Sequence, residues 1–130
     1  MARQAEVTDI VLLTTFANEL LRNYPTPDFS NIKEANYVCI ISDMGGYIFA
    51  RIDRWNGKRI AFIVSAAAYK NVPDIERKAM SDMLDNWCRD HWISKILTMT
   101  PTPEVFLKRW GFKLESFVIS RAVSSPEHKK

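Results

Sequence analysis

Ser94-Lys95-Ile96-Leu97-Thr98-Met99-Thr100-Pro101-Thr102-Pro103, running on to Val123, is the stretch whose reading decides the fold. Lys95 to Met99 is a short β-branched and apolar run, which predicts a strand that stops at the Pro-Thr-Pro break. Glu104-Val105-Phe106-Leu107-Lys108-Arg109-Trp110 then has room for a helix of about one to two turns, ending on Gly111-Phe112. Phe117-Val118-Ile119-Ser120 reads as a closing strand.

Upstream lies the longest helical pattern, from Asp74 to His91, with Ile75, Ala79, Met80, Met83, Leu84, Trp87 and Cys88 as its apolar stripe. Pro73 and Asp74 suit its start, proline by its fixed φ and the carboxylate by the helix dipole. Before it come three strand candidates. Tyr37 to Ile41 closes at the turn Asp43-Met44-Gly45-Gly46; Tyr47 to Ile52 stops at Trp55-Asn56-Gly57-Lys58; Ile60 to Ser65 follows. Asn-Gly between two apolar runs is a strong hairpin signal, so the three form an antiparallel meander. A first helix after Thr8-Asp9 carries Ile10, Leu13, Phe16, Ala17, Leu20 and Leu21, and ends before Tyr24-Pro25-Thr26-Pro27. Asp28 to Asn36 has room for a short second helix, and Arg3 to Glu6 for a weak opening strand.

The order ααβββαβαβ predicts an α/β (mixed α+β) fold. Its central sheet is mixed, mostly antiparallel, and flanked by helices on both faces. Residues 1–123 read as a single domain and residues 124–130 as a polar C-terminal tail.

Composition agrees with a globular chain. Its 130 residues are 47% hydrophobic, 25% charged and 12% aromatic, enough for one core without disulfides or metals. The formal net charge of +3 leaves room for an anionic ligand but does not by itself argue for nucleic acid. The two cysteines, Cys39 and Cys88, sit on a strand and a helix and read as buried free thiols. No apolar run reaches membrane-span length and the N-terminus has no signal-peptide core, so the expected location is cytoplasmic. No Walker loop, nucleophile elbow or paired-carboxylate motif occurs, which leaves hydrolase, kinase and dehydrogenase readings without support.

The element order, the Trp55-Asn56-Gly57 hairpin and the helix end Phe106 to Phe112 together resemble the GCN5-related N-acetyltransferases, over nearly the whole chain. That resemblance implies an acyl-CoA-dependent enzyme that acetylates a primary amine on a protein or small molecule. It places acetyl-CoA in a V-shaped gap between two neighbouring parallel strands, with the thioester carbonyl polarised by a backbone amide near Val64, Ser65, Ala66 and Ala67. It also implies a glycine-rich turn that holds the diphosphate on backbone N–H groups at the start of the long helix. The corresponding residues, Asn71-Val72-Pro73-Asp74-Ile75-Glu76-Arg77-Lys78, contain no glycine. Pro73 removes one donor, and Arg77 and Lys78 are the cations left to compensate, with Lys108 and Arg109 as further nucleotide contacts. Where many members carry a tyrosine that protonates the leaving thiolate, this chain has Leu107. Ser65, Asp53 and Thr100 are the remaining polar candidates for catalysis.

Bland readings stand beside these. His91 suits a helix C-terminal cap, His128 a solvated tail, and Arg51 with Asp53 a surface ion pair. Trp87, Trp92 and Trp110 read as core residues. Trp55 at a hairpin tip, beside Arg51, Arg54, Lys58 and Arg59, suggests a contact surface for an acidic protein or nucleic acid, the latter a weaker idea. The second functional expectation is a catalytically inactive module of the same fold, such as a phage-type host-interaction protein or virion component.

Overall fold

A computed structural model describes residues 1–22 and 24–98, and Met1–Thr98 forms one compact unit. The expectations for Met99 onwards lie outside the described residues. These concern Thr100, Lys108, Arg109, the helix through Phe106 and Trp110, the closing strand and the tail.

Among the described residues, five strands form one sheet in sequential order. They are β1 (Ala2–Gln4), β2 (Tyr37–Ser42), β3 (Gly46–Trp55), β4 (Lys58–Ala68) and β5 (Ile96–Thr98). The first four pair antiparallel and β5 runs parallel to β4. The meander is as expected, but β3 and β4 reach further than their apolar runs. Backbone pairing carries them to the tip at Asn56-Gly57, where φ of 52° and 77° makes the two-residue turn. At the other end β4 continues through Ala66-Ala67-Ala68 opposite Ile48-Tyr47-Gly46.

Helix α1 (Ile10–Leu20) and α2 (Asp74–Asp90) cover opposite faces. Side chains alternate along a strand, so Cys39, Ile41, Tyr47 and Phe49 share one face. There they form a buried cluster with Leu13, Phe16 and Ala17 of α1 and with Phe29 and Ile32. Phe29 sits at the centre of this cluster, edge-on to Tyr47 at 5.4 Å and tilted against Phe49 at 5.2 Å. Val38, Ile40, Ile48 and Ala50 point the other way and are just as buried. α2 lies on that side, with Met80, Leu84 and Cys88 inward. The predicted second helix is a single 3-10 segment, Phe29–Lys33, whose entry Asp28 caps by accepting the Ser30 N–H. Cys39 and Cys88 are both free and buried, and burial raises both thiols above their ordinary range.

Several expectations are corrected. Ile75 is not in the α2 stripe: it is 80% exposed, because the buried row runs through Met80, Leu84 and Cys88, and at about 3.6 residues per turn Ile75 falls on the opposite side of the helix. Trp92 is not a core residue either, being 87% exposed with φ 60°. It is the left-handed residue that ends α2. The Ile93 N–H bonds back to the Cys88 carbonyl at 2.8 Å and the Trp92 N–H to that of Arg89 at 3.2 Å, a Schellman closure. Helical periodicity stops at this reversal, so it does not place the indole. His91 does cap the helix, its Nδ1–H donating to the Trp87 carbonyl at 2.9 Å. Trp55 is half-buried rather than an exposed tip residue.

Asp9 precedes α1 as expected, but its carboxylate does not cap the helix. It accepts two bonds from the Arg3 guanidinium, at 2.8 and 2.9 Å, and one from the Glu6 N–H at 2.8 Å. Arg3 also reaches Asp43 at 3.2 Å, so one side chain of β1 ties the helix entry to the β2–β3 turn. The Arg3 guanidinium, and then the Glu6 amide, hold the Asp9 carboxyl down at about 2. A depressed carboxylate contributes stability above its unfolded value, and the contribution is lost as pH falls from near 4 towards 2. Asp9→Asn is therefore expected to cost about 1–2 kcal/mol at pH 7. In urea titrations at several pH values, the gap from the parent should close below pH 4. Trp92→Gly should raise unfolding free energy by about 1 kcal/mol, since glycine takes the left-handed conformation without a Cβ clash. An unchanged midpoint would show that Trp92 is not strained.

Candidate functional site

The feature that organises the site is a change of register in the β3–β4 ladder. Phe49 lies opposite Ser65, and its neighbour Ala50 lies opposite Ile63. Val64 is thus one extra residue in β4, a β-bulge, and a bulge leaves one residue out of the ladder and re-aims the side chains beyond it. Phe62 faces the α1 side, where the Arg51 guanidinium lies 4.9 Å from its ring centroid. Uninterrupted alternation would send Ser65 and Ala67 to the opposite side. The bulge instead brings Ser65, Ala67 and, one step beyond the strand, Tyr69 back to the α1 side, and Val64 packs there as well.

Two polar pairs result. The Ser65 hydroxyl lies 2.8 Å from the hydroxyl of Tyr47, whose ring is buried in the aromatic cluster. Burial pushes the Tyr47 phenol up to about 12, so it is a neutral hydroxyl at any physiological pH. Further along, the Tyr69 hydroxyl donates to the Glu19 carboxylate of α1. That carboxylate raises the phenol above its usual range. The Tyr69 ring meets Phe16 edge-on at 5.9 Å and abuts Gly45. A Cβ on Gly45 would fall 2.3 Å from that ring, and its φ is +110°, so both contact and conformation require glycine there. The Glu19–Tyr69 pair was missed by sequence reasoning. Its only signal was that Tyr69 follows Ser65 by an even number of residues.

On its other edge, β4 pairs with β5 at Ala61↔Ile96, Phe62↔Leu97 and Ile63↔Thr98. The Thr98 hydroxyl reaches the Ile63 carbonyl at 3.4 Å. Val64 to Ala68 extend past these described partners, so the bulge sits where the described parallel pairing ends.

Not all the sequence candidates gather here. Asp53 lies opposite Ile60 near the hairpin tip, four β3 positions from Phe49, or roughly 13 Å along the strand. Its carboxylate accepts the Arg54 N–H at 2.8 Å and pairs with Arg51 at 3.1 Å. The Arg54 amide first, and Arg51 with it, keep it below the usual carboxylate range. Asp53 is thus the surface ion pair of the bland reading, remote from Ser65.

Val64, Ser65, Ala66 and Ala67 all lie on the last part of β4. Arg77 and Lys78 stand in the first turns of α2. The Arg77 guanidinium turns back on the preceding loop, donating to the Tyr69 carbonyl at 2.8 Å and to that of Val72 at 3.1 Å. Lys78 pairs with Asp82 at 2.9 Å on the exposed helix face. Glu76 accepts the hydroxyl of fully buried Ser42 at 2.6 Å and lies 3.3 Å from the amino terminus.

No family model matches the chain, and no curated protein matches it by sequence. Solved structures do match over most of its length. A probable acetyltransferase superposes with a TM-score of 0.70 at 12% identity, covering 90% of this chain and 92% of the other. An aminoglycoside acetyltransferase from an uncultured soil metagenomic sample gives 0.67 at 14% identity, covering 89% and 92%. A predicted acetyltransferase from Clostridium acetobutylicum, with acetyl-CoA, gives 0.65 at 16% identity, covering 92% and 97%. At these identities the likeness is one of fold.

The Tyr47–Ser65 bond can be tested without any ligand. Tyr47→Phe is expected to cost about 1 kcal/mol, and Ser65→Ala at least as much because it leaves a buried phenol unpartnered. The double variant should fall short of the sum of the two in urea unfolding. Strict additivity would show that the hydroxyls are not coupled.

Proposed function

We propose that this chain, which has the fold of the GCN5-related N-acetyltransferases, transfers an acetyl group from a thioester to a primary amine. The amine can belong to a protein or a small molecule. The observation that carries this reading is the Val64 bulge, set beside a parallel neighbour strand. A bulge presents backbone amides that the ladder does not consume, and an acyl thioester needs an N–H donor aimed at its carbonyl oxygen as negative charge develops there. Val64, Ser65, Ala66 and Ala67 supply that stretch of backbone.

In the reaction the neutral amine attacks the thioester carbon. A C–N bond forms, the C–S bond breaks, and the proton given up by the nitrogen balances the departing thiolate. The rate should therefore rise with pH and level off only above the amine's own pKa, about 10.4 for a lysine-like acceptor. Ser65, held by Tyr47, acts as a positioning residue that fixes the strand at the bulge. Glu19, held by Tyr69 against α1, is a carboxylate suited to attract the ammonium form of the acceptor before it loses its proton. Positioning of the two reactants supplies most of the acceleration expected from such a site.

Coenzyme A fits the described residues at one end only. Past its described pairing with β5, the backbone of β4 suits the amide-bearing pantetheine arm, which can pair with strand backbone. The entry to α2 does not suit the diphosphate in the manner of the family: no glycine is present, Pro73 has no N–H, and Arg77 is turned to carbonyls.

The test uses the full chain with millimolar acetyl-CoA and a panel of primary amines comprising polyamines, aminoglycosides and lysine peptides. Amine-dependent release of free thiol, with the acetylated amine found by mass spectrometry, is the expected outcome. No thiol release and no shift in melting temperature would reject the reading and leave a non-catalytic module.

A further inference from the structure

We propose that the acyl donor is recognised through its pantetheine arm and that the nucleotide diphosphate contributes little to its binding. This rests on the acetyl-transfer reading above and narrows its donor to pantetheine thioesters, whatever group lies beyond the arm.

The argument starts from the backbone at the entry to α2. A diphosphate needs several N–H groups that converge on it, without side chains in the way. Here the residue before the helix is Pro73, in extended conformation, which offers no hydrogen. The amides of Glu76 and Arg77 both donate to the Pro73 carbonyl at 3.0 Å. Among the described residues of this helix end, that leaves the amides of Asp74 and Ile75, the first two of the helix. Each carries an exposed side chain, and that of Asp74 is an anion beside the place where phosphate charge would lie.

The charges repeat the pattern. Asp74 and Glu76 put two carboxylates in the first turn, so the positive end of the helix dipole already has its own anions. Of the basic residues that flank this entry, Lys70 is exposed on the loop, and Arg77 has its guanidinium on the Tyr69 and Val72 carbonyls. This contact closes the loop between β4 and α2 over buried Val72. Arg77 therefore does for the loop what glycine and a bound phosphate do elsewhere: it holds the turn in shape from within. An arm that pairs with β4 is untouched by any of this, because the bulge and the strand beyond it precede the turn.

The experiment measures binding by calorimetry to the full chain. It compares acetyl-CoA with S-acetylpantetheine and uses 3′,5′-ADP as a competitor. Dissociation constants within about threefold of each other, with no displacement by 3′,5′-ADP, are the expected result. Acetyl-CoA binding more than about tenfold tighter than S-acetylpantetheine, or competition by 3′,5′-ADP, would overturn this inference while leaving acetyl transfer intact. Binding of neither thioester would remove both readings together.

Discussion

One inserted residue, Val64, governs how the described half of the site is assembled. Strand side chains alternate with period two, so an extra residue inverts every side chain that follows it. In β4 this inversion returns Ser65, Ala67 and Tyr69 to the face beneath α1. The Ser65–Tyr47 hydroxyl bond, the Phe16–Tyr69 contact and the Tyr69–Glu19 bond all lie downstream of it. Without the bulge, Ser65 and Ala67 would point to the α2 face and Tyr69 would lose its approach to α1.

The site is consequently two-sided in its chemistry. Along β4 it is built of neutral hydroxyls, small side chains and backbone. At the start of α2 it is ionic and self-satisfied, with Glu76 on Ser42, Arg77 on two loop carbonyls and Lys78 on Asp82. Those internal partners stabilise the turn, and they also occupy groups that an anionic ligand would otherwise use. A stable loop and an open anion cradle compete for the same few residues, and in this chain the loop prevails.

Much of the architecture could be read directly. The Asn56-Gly57 turn, the three strands around it and the helix from Asp74 follow from local chemistry, and each appears within a few residues of its expected span. Local rules erred where a boundary was imposed by the rest of the chain. β4 runs on through three alanines because β3 is there to pair with them. Trp92 leaves the core because the chain must reverse before β5. Ile75 is exposed because it lies on the side of α2 opposite the buried row of Met80, Leu84 and Cys88. Asp9 faces Arg3 rather than its own helix, a partner that β1 supplies across the start of the fold.

By itself the sequence determined the order of the described elements, the hairpin turn and the lack of glycine before α2, since each depends only on neighbouring residues and their backbone preferences. Only the tertiary structure decided which residue of β4 is the extra one, because a bulge is defined by what lies opposite it. The same holds for Arg77, whose guanidinium could be assigned to loop carbonyls rather than to a ligand only once the chain had folded back to present them.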